Sequence, residues 1–213
     1  LKVHIKNQVD SGAQIIQIFD SWAGLLSEKD LPNYIYEPTI NIVEYTKSLN
    51  VPVICFPKGI KKFKDFCEIV KPSAICIDYE VDPKEILKDI QIPVQGGMDP
   101  KILLTDQENL KKEVKKYLDI FKDHPYIFNL GHGILPETDP KMMDYLVLKI
   151  ESLSPFQPIQ LALLQWYCFQ KQIRKNLILH KIRAVNFFVH LLFHFFYHQR
   201  HQFFLCSNSL NFL

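Results

Sequence analysis

The chain has 213 residues, of which 47% are hydrophobic and 23% are charged, as in a soluble globular domain. Its formal net charge of +2 comes without a basic cluster, so the composition does not indicate a partner nucleic acid. The five cysteines show no C-x-x-C spacing, which favours reduced core thiols of a cytosolic protein over a disulfide framework.

Composition changes after Glu151. All 23 acidic residues and all 7 glycines lie at or before that position, together with 19 of the 25 basic residues. The formal charge is therefore −4 through Glu151 and +6 after it. We predict a folded domain in residues 1–150 and an aberrant tail in residues 151–213. Because the chain begins on Leu1 inside a predicted helix, we also expect further sequence upstream.

The tail is rich in Phe, His and Leu. Four of its histidines follow one face of a helix, a pattern that a metal site or a membrane-surface helix would also show: His190, His194, His198 and His201. Its apolar run at 185–197 is too short to span a bilayer. Because the tail lacks acids, glycines and helix caps, we interpret it as sequence not selected to fold, such as frame-shifted read-through, and expect it not to pack onto the domain.

In residues 1–150, short apolar runs rich in β-formers alternate with stretches of helical periodicity. The predicted strands are 14–19, 51–56, 73–77, 92–95 and 126–130. The predicted helices are 2–11, 39–48, 61–70, Pro83–Asp89, 106–122 and 140–149, with 22–33 as a loop. Asp82, either Thr105 or Asp106, and Thr138 are the predicted helix caps.

This alternation predicts an α/β protein with a parallel sheet and outer helices. Two architectures fit, an open doubly wound sheet and a (β/α)₈ barrel, and both place function at the carboxyl ends of the strands. Polar residues follow each predicted strand, and we expect their loops to converge on one rim. They are Asp20 and Ser21, Lys58, Asp78, Asp99 and His132.

His132 stands out because glycines flank it and let the backbone turn sharply or approach another segment closely. No glycine-rich phosphate motif and no H-E-x-x-H motif is present. A metal held by His132, Asp78 and Asp99 has no support from spacing. Ser21 and His132 lack the G-x-S-x-G elbow of a nucleophile–base pair, which favours a serine that hydrogen-bonds a ligand.

Three runs together resemble the uroporphyrinogen decarboxylase family. They are Gly-Ala-Gln at 12–14 with Phe-Asp-Ser-Trp-Ala-Gly at 19–24, Val-Gln-Gly-Gly-Met-Asp-Pro at 94–100, and Asn-Leu-Gly-His-Gly-Ile-Leu-Pro at 129–136. The resemblance covers about residues 1–150, corresponding to the second half of that family's chain. Gly97 departs from it, because the family usually has Asn there, so the shape of that loop is open.

The resemblance implies a partial (β/α)₈ barrel of about five β/α units, and a cytoplasmic homodimer that uses neither metal nor organic cofactor. It implies removal of carboxyl groups from the four acetate side chains of uroporphyrinogen III, giving coproporphyrinogen III for haem synthesis. Ser21 and His132 match family positions that hold substrate carboxylates. The catalytic residues are expected upstream, so the isolated chain is predicted to be an inactive fragment.

Two other functions remain open. One is a non-catalytic remnant or tetrapyrrole-binding protein that keeps the rim without the chemistry. The other is a zinc-dependent methyltransferase of related barrel fold, which needs a His/Cys/Cys ligand set at strand ends. Cys55 and Cys76 lie inside predicted strands, which argues against that ligand set.

Overall fold

A computed structural model describes residues 1–153, and the predictions for the tail concern residues outside this range apart from its first three. The α-helices are α1 (Lys2–Asp10), α2 (Glu37–Ser48), α3 (Phe63–Val70), α4 (Pro83–Asp89), α5 (Gln107–Ile120) and α6 (Pro140–Leu153). The strands are β1 (Ile16–Asp20), β2 (Val53–Pro57), β3 (Ala74–Ile77), β4 (Val94–Gly96) and β5 (Tyr126–Ile127). Within residues 1–153, no helix is long and apolar enough to cross a membrane.

The strands form one parallel sheet in the order β1-β2-β3-β4-β5. Each strand pairs with the next one along the chain, whereas a doubly wound sheet reverses its order at a switch point. This sequential order decides between the two predicted architectures. The prediction of a partial α/β barrel of five β/α units is confirmed.

One face of the sheet is covered by helices. The largest core cluster joins strand residues such as Val53 and Ile75 to Phe66 of α3, Val114 of α5 and Leu146 of α6. Helix α3 shows why, because its buried Phe63, Phe66 and Val70 recur at helical spacing. The apolar stripe of each such helix is therefore what holds it against the sheet.

The opposite face carries a smaller cluster that consists only of residues in or beside strands: Ile15, Ile54, Phe56, Ala74 and Cys76, with Ile127 against them. Buried Gln95 lies in the same layer and donates to Gln17 Oε1 at 3.2 Å and Cys76 Sγ at 3.5 Å. In a barrel this face lines the interior, which side chains fill in layers.

Two of the predictions about caps and loops are wrong in detail. Thr138 does not cap α6, because its hydroxyl has no hydrogen-bond partner, whereas Asp139 Oδ1 accepts from Lys141 N at 2.9 Å. Pro140 at the first helical position allows either cap from sequence alone. The predicted loop 22–33 contains a 3₁₀ turn at Ala23–Leu25, and a π-helical turn starts at Pro32. Asp106, one of the two alternatives, caps α5.

Candidate active site

The loops after the five strands all leave the same end of the parallel sheet. Ser21 directly follows the last residue of β1 and is exposed. His132 lies in the segment between β5 and α6 and is also exposed. The carboxyl end of the strands is where α/β barrels carry their function.

The loops after β1 and β2 are joined through their backbones. Lys58 N donates to Asp20 O at 3.0 Å, and Gly24 N donates to Lys58 O at 2.9 Å. A Cβ atom at Gly24 would overlap the backbone of Gly59. Glycine at position 24 therefore lets the loop that carries Ser21 lie directly on the next loop.

Asp78 directly follows β3 and connects the loop after β2 to the loop after β3. Its side chain is buried, with the residue 2% exposed, and Oδ2 accepts from Gly59 N at 3.1 Å while Oδ1 accepts from Glu80 N at 2.9 Å. Charged hydrogen bonds of this kind are stronger than neutral ones. Asp78 is thus a structural tie and does not offer its carboxylate to a ligand.

The loop after β4 is held by two tyrosine hydroxyls. Gly96 and Gly97 both have positive φ, +88° and +94°, which favours glycine over other residues. The Tyr126 hydroxyl donates to Gly96 O at 2.7 Å and the Tyr117 hydroxyl donates to Gly97 O at 2.6 Å. Burial raises the pKa of Tyr117 to about 12, so the phenol is a neutral donor at physiological pH.

Asp99, another member of the predicted polar set, has a local structural role. Its Oδ1 accepts from Lys101 N at 2.8 Å and caps the 3₁₀ helix Pro100–Leu104. The carboxylates of Asp78 and Asp99 therefore both satisfy backbone amides. Asp20 and Lys58 are half-buried, so Ser21 and His132 are the exposed members of the predicted rim set.

The loop that carries His132 is packed on the end of β3. Gly131 N donates to Met98 O at 2.8 Å, and a Cβ atom at Gly131 would overlap the backbone of Asp78 and Tyr79. The His132 imidazole then meets the Tyr79 ring edge to face, with centroids 6.4 Å apart and planes at 75°. The sequence predicted the close approach at the Gly-His-Gly turn, but it did not single out Tyr79.

Two of the thiols that a zinc site would need lie on opposite faces of the sheet. Cys55 belongs to the helix-side core and Cys76 to the other cluster. Burial raises the pKa of both thiols, that of Cys76 to about 12, so each stays protonated. Within residues 1–153 no three His, Cys, Asp or Glu side chains are grouped to hold a metal ion.

Exposed apolar side chains lie next to Ser21. Trp22 is 73% exposed, and Leu25 and Phe19 also present much of their surface. Exposed apolar side chains beside a polar rim are available to contact an apolar ligand surface. The sequence indicated Trp22 only as part of a motif, because its exposure depends on how the loop leaves β1.

The strands of the parallel sheet follow one another in sequence order, and the available polar side chains lie on the loops at their carboxyl ends. These features define a protein of the (β/α)₈-barrel class, here with five described β/α units. The family model for uroporphyrinogen decarboxylase (URO-D) matches residues 1–153. The chain belongs to this family.

Relatives with the name uroporphyrinogen decarboxylase match the same part of the chain. The relative from Rickettsia bellii is 44% identical over 149 residues, which are 68% of this chain and 44% of that protein. The relative from Wolbachia sp. subsp. Drosophila simulans is 40% identical over 153 residues, 70% of this chain and 45% of that protein. The chain thus spans less than half the length of these relatives.

Proposed function

We propose that this chain supplies the carboxylate-binding half of a uroporphyrinogen decarboxylase active site. In the complete site, the four acetate side chains of uroporphyrinogen III lose CO₂ to give coproporphyrinogen III, a step of porphyrin synthesis. Ser21 and His132 are the proposed substrate-binding residues. The proposal rests on the family membership of residues 1–153 and on the two loops that carry these residues.

One observation carries the proposal most directly: the loops of Ser21 and His132 belong to a continuous set of loop contacts, made by backbone atoms and by the Asp78 carboxylate. Gly24 lies on Gly59, Gly59 N is held by Asp78, and Gly131 lies on the backbone at Asp78. β1 and β5 are also four strand spacings apart, about 19 Å along the sheet. In an eight-stranded barrel this is half the circumference, so the two loops would face each other across a mouth on the order of 12 Å wide.

That separation suits a tetrapyrrole, a broad apolar macrocycle with carboxylates around its edge. A hydroxyl at Ser21 and an imidazole at His132 fix carboxylates by hydrogen bonds. The exposed side chain of Trp22 is available to the apolar faces of the pyrroles. Ligands of this kind are held by an apolar surface with a few placed polar groups.

The reaction itself needs groups beyond these two. A protonated pyrrole ring accepts the electron pair as the bond between the acetate carbons breaks and CO₂ leaves. A proton then adds to the remaining carbon to give a methyl group, and the ring releases the proton it had gained, which restores the aromatic pyrrole. Ser21 and His132 position the carboxylates but do not supply the electron sink. We therefore propose that the proton donor and the main cationic groups come from the other half of the barrel.

The same resemblance extends the proposal to a cytoplasmic homodimer that acts without metal, organic cofactor or nucleic acid. The formal charge of −4 through Glu151 supports the last point, because DNA and RNA attract basic surfaces. Gel filtration with light scattering tests the dimer. A monomer, alone and with the complementary half-barrel, would remove that part of the proposal.

The test is coproporphyrinogen formation by the purified 213-residue chain, alone and with the unmatched part of the Rickettsia bellii relative. We expect no turnover by the chain alone, turnover by the pair, and at least tenfold less turnover by a pair carrying Ser21→Ala or His132→Ala. Turnover by the chain alone at the rate of the full-length relative would contradict the division of roles.

A tetrapyrrole-binding protein without catalysis is the second candidate, because the exposed Ser21 and His132 can hold carboxylates without supplying an electron sink. Binding of uroporphyrin, the stable oxidised form of the substrate, separates the two. Binding without turnover in either arrangement supports this candidate. Turnover by the complemented pair rejects it.

A further inference from the structure

His132 is exposed, and an exposed imidazole on a loop between two glycines has many accessible orientations. The contact that limits them here is with Tyr79, whose ring meets the imidazole edge to face at 6.4 Å. Edge-to-face packing is a favoured arrangement of aromatic rings. Packing against Tyr79 fixes the plane of the His132 ring and leaves other edges of that ring open to solvent.

The backbone around Tyr79 is fixed by contacts of its neighbours in the chain. The Asp78 carboxylate accepts from Glu80 N on one side of Tyr79 in the chain and from Gly59 N in the neighbouring loop. Gly131 rests on the Tyr79 backbone, which brings the two loops into contact. The tyrosine therefore stands at the point where three strand-end loops meet.

We propose that Tyr79 is a positioning residue for His132, which orients the imidazole toward the mouth so that it binds a substrate carboxylate. This inference rests on the proposed function, because it takes His132 as the carboxylate-binding group. The tyrosine acts through its ring and not through its hydroxyl, since the observed contact is between rings. Phenylalanine at position 79 should therefore replace it, and leucine should not.

The first experiment needs no substrate. In the full chain with labelled aromatic rings, we expect nuclear Overhauser effects between the rings of Tyr79 and His132. Tyr79→Phe should preserve the His132 ring chemical shifts, and Tyr79→Leu should move them toward the values of a solvent-exposed histidine. Tyr34→Leu is the matched control, because Tyr34 is 67% exposed and should leave His132 unchanged.

Two results would overturn the assignment. One is the absence of Overhauser effects between the two rings in the wild-type chain, a measurement that does not depend on any variant folding. The other is a folded Tyr79→Leu chain, shown by an unchanged thermal midpoint, whose His132 shifts equal those of the wild type.

The second experiment measures binding of uroporphyrin, by fluorescence, to the complemented half-barrels. We expect Tyr79→Leu to weaken binding about three- to tenfold, in line with the energy of an aromatic pair, and Tyr79→Phe to bind as the wild type does. If His132→Ala binds as tightly as the wild type, the proposed function is wrong. If His132→Ala weakens binding and Tyr79→Leu does not, only the positioning role is wrong.

Discussion

The two faces of the five-stranded sheet differ in what covers them. The helix-side face joins residues of α2 to α6 and of the strands in one large apolar cluster. The opposite face has a handful of apolar side chains and the hydrogen-bonded pair of buried Gln95 and half-buried Gln17. In a complete barrel, eight strands fill that inner face together. The comparison indicates that the helix-side face contributes more to the stability of residues 1–153 than the inner face does.

The largest expected effect comes from emptying the helix-side face. Phe66 is 1% exposed and packs edge to face on Tyr36, with ring centroids 5.5 Å apart. Phe66→Ala should lower the free energy of unfolding by about 3–5 kcal/mol, through lost burial and a new cavity. Urea denaturation of the full chain measures it.

The matched control for Phe66 is Ile69→Ala on the same helix. Ile69 is 49% exposed, so we expect a loss of roughly 1 kcal/mol or less. Equal losses for the two variants would show that the helix-side face does not dominate stability.

A smaller effect is expected at the rim. Asp78→Asn leaves one carbonyl oxygen to accept from two amides, Gly59 N and Glu80 N, so one of them loses its partner. We expect a loss of about 1.5–3 kcal/mol, together with faster hydrogen exchange at one of these two amides.

The control for the rim variant is Asp119→Asn, which removes an exposed ion pair with Lys115. Such pairs contribute about 0–1 kcal/mol. If Asp78→Asn lowers the stability no more than this control does, or if hydrogen exchange at both amides is unchanged, the carboxylate does not tie the loops together.

The sequence predicts the strands and helices well because their signals are local. Apolar runs with Gly or Pro near at least one end marked all five strands, and Asp82 caps α4 as expected, with its Oδ1 accepting from Lys84 N. The order of the strands carries no local signal, since pairing joins segments far apart in the chain. The sequence alone therefore does not distinguish the barrel from the doubly wound sheet.

The site is predictable in part for a related reason. The Gly-His-Gly turn after a predicted strand singles out His132 from local sequence alone, because a glycine on each side permits a sharp turn or a close approach to another segment. Tyr79 was missed, because its contact with His132 joins two loops 53 positions apart. Asp78 was predicted as a rim residue, but its two amide donors become evident only when the loops are packed.

The third prediction concerns alkaline pH and the helix-side face. Tyr126 is buried, and burial raises its pKa well above the usual value near 10. The raised pKa means that its contribution to stability is complete below about pH 10 and is lost as the pH rises toward the folded-state pKa, by at most about 1.4 kcal/mol per pH unit. Wild-type stability should therefore fall above pH 10.

Tyr126→Phe sharpens this test. At pH 7 the variant should be about 1 kcal/mol less stable, because it loses the hydrogen bond to Gly96 O. Above pH 10 the difference should shrink and then reverse, since phenylalanine does not ionise. Tyr34→Phe, at an exposed position, should run parallel to the wild type throughout. Parallel curves for Tyr126→Phe would show that this phenol ionises as easily in the folded state as in the unfolded chain.

The smallest expected effect lies on the inner face. Removing both partners of its polar pair should cost less stability than removing one of them. Gln95→Met keeps the volume but removes the donor to Gln17 Oε1, so we expect a loss of about 0.5–1.5 kcal/mol. The double variant with Gln17→Met should be closer to the wild type than either single variant, because replacing both partners by apolar groups leaves no unsatisfied polar atom. Urea denaturation of all four chains gives the coupling energy directly. Strictly additive losses would mean that the glutamines act separately, and that the inner face is only a thinner version of the helix-side core.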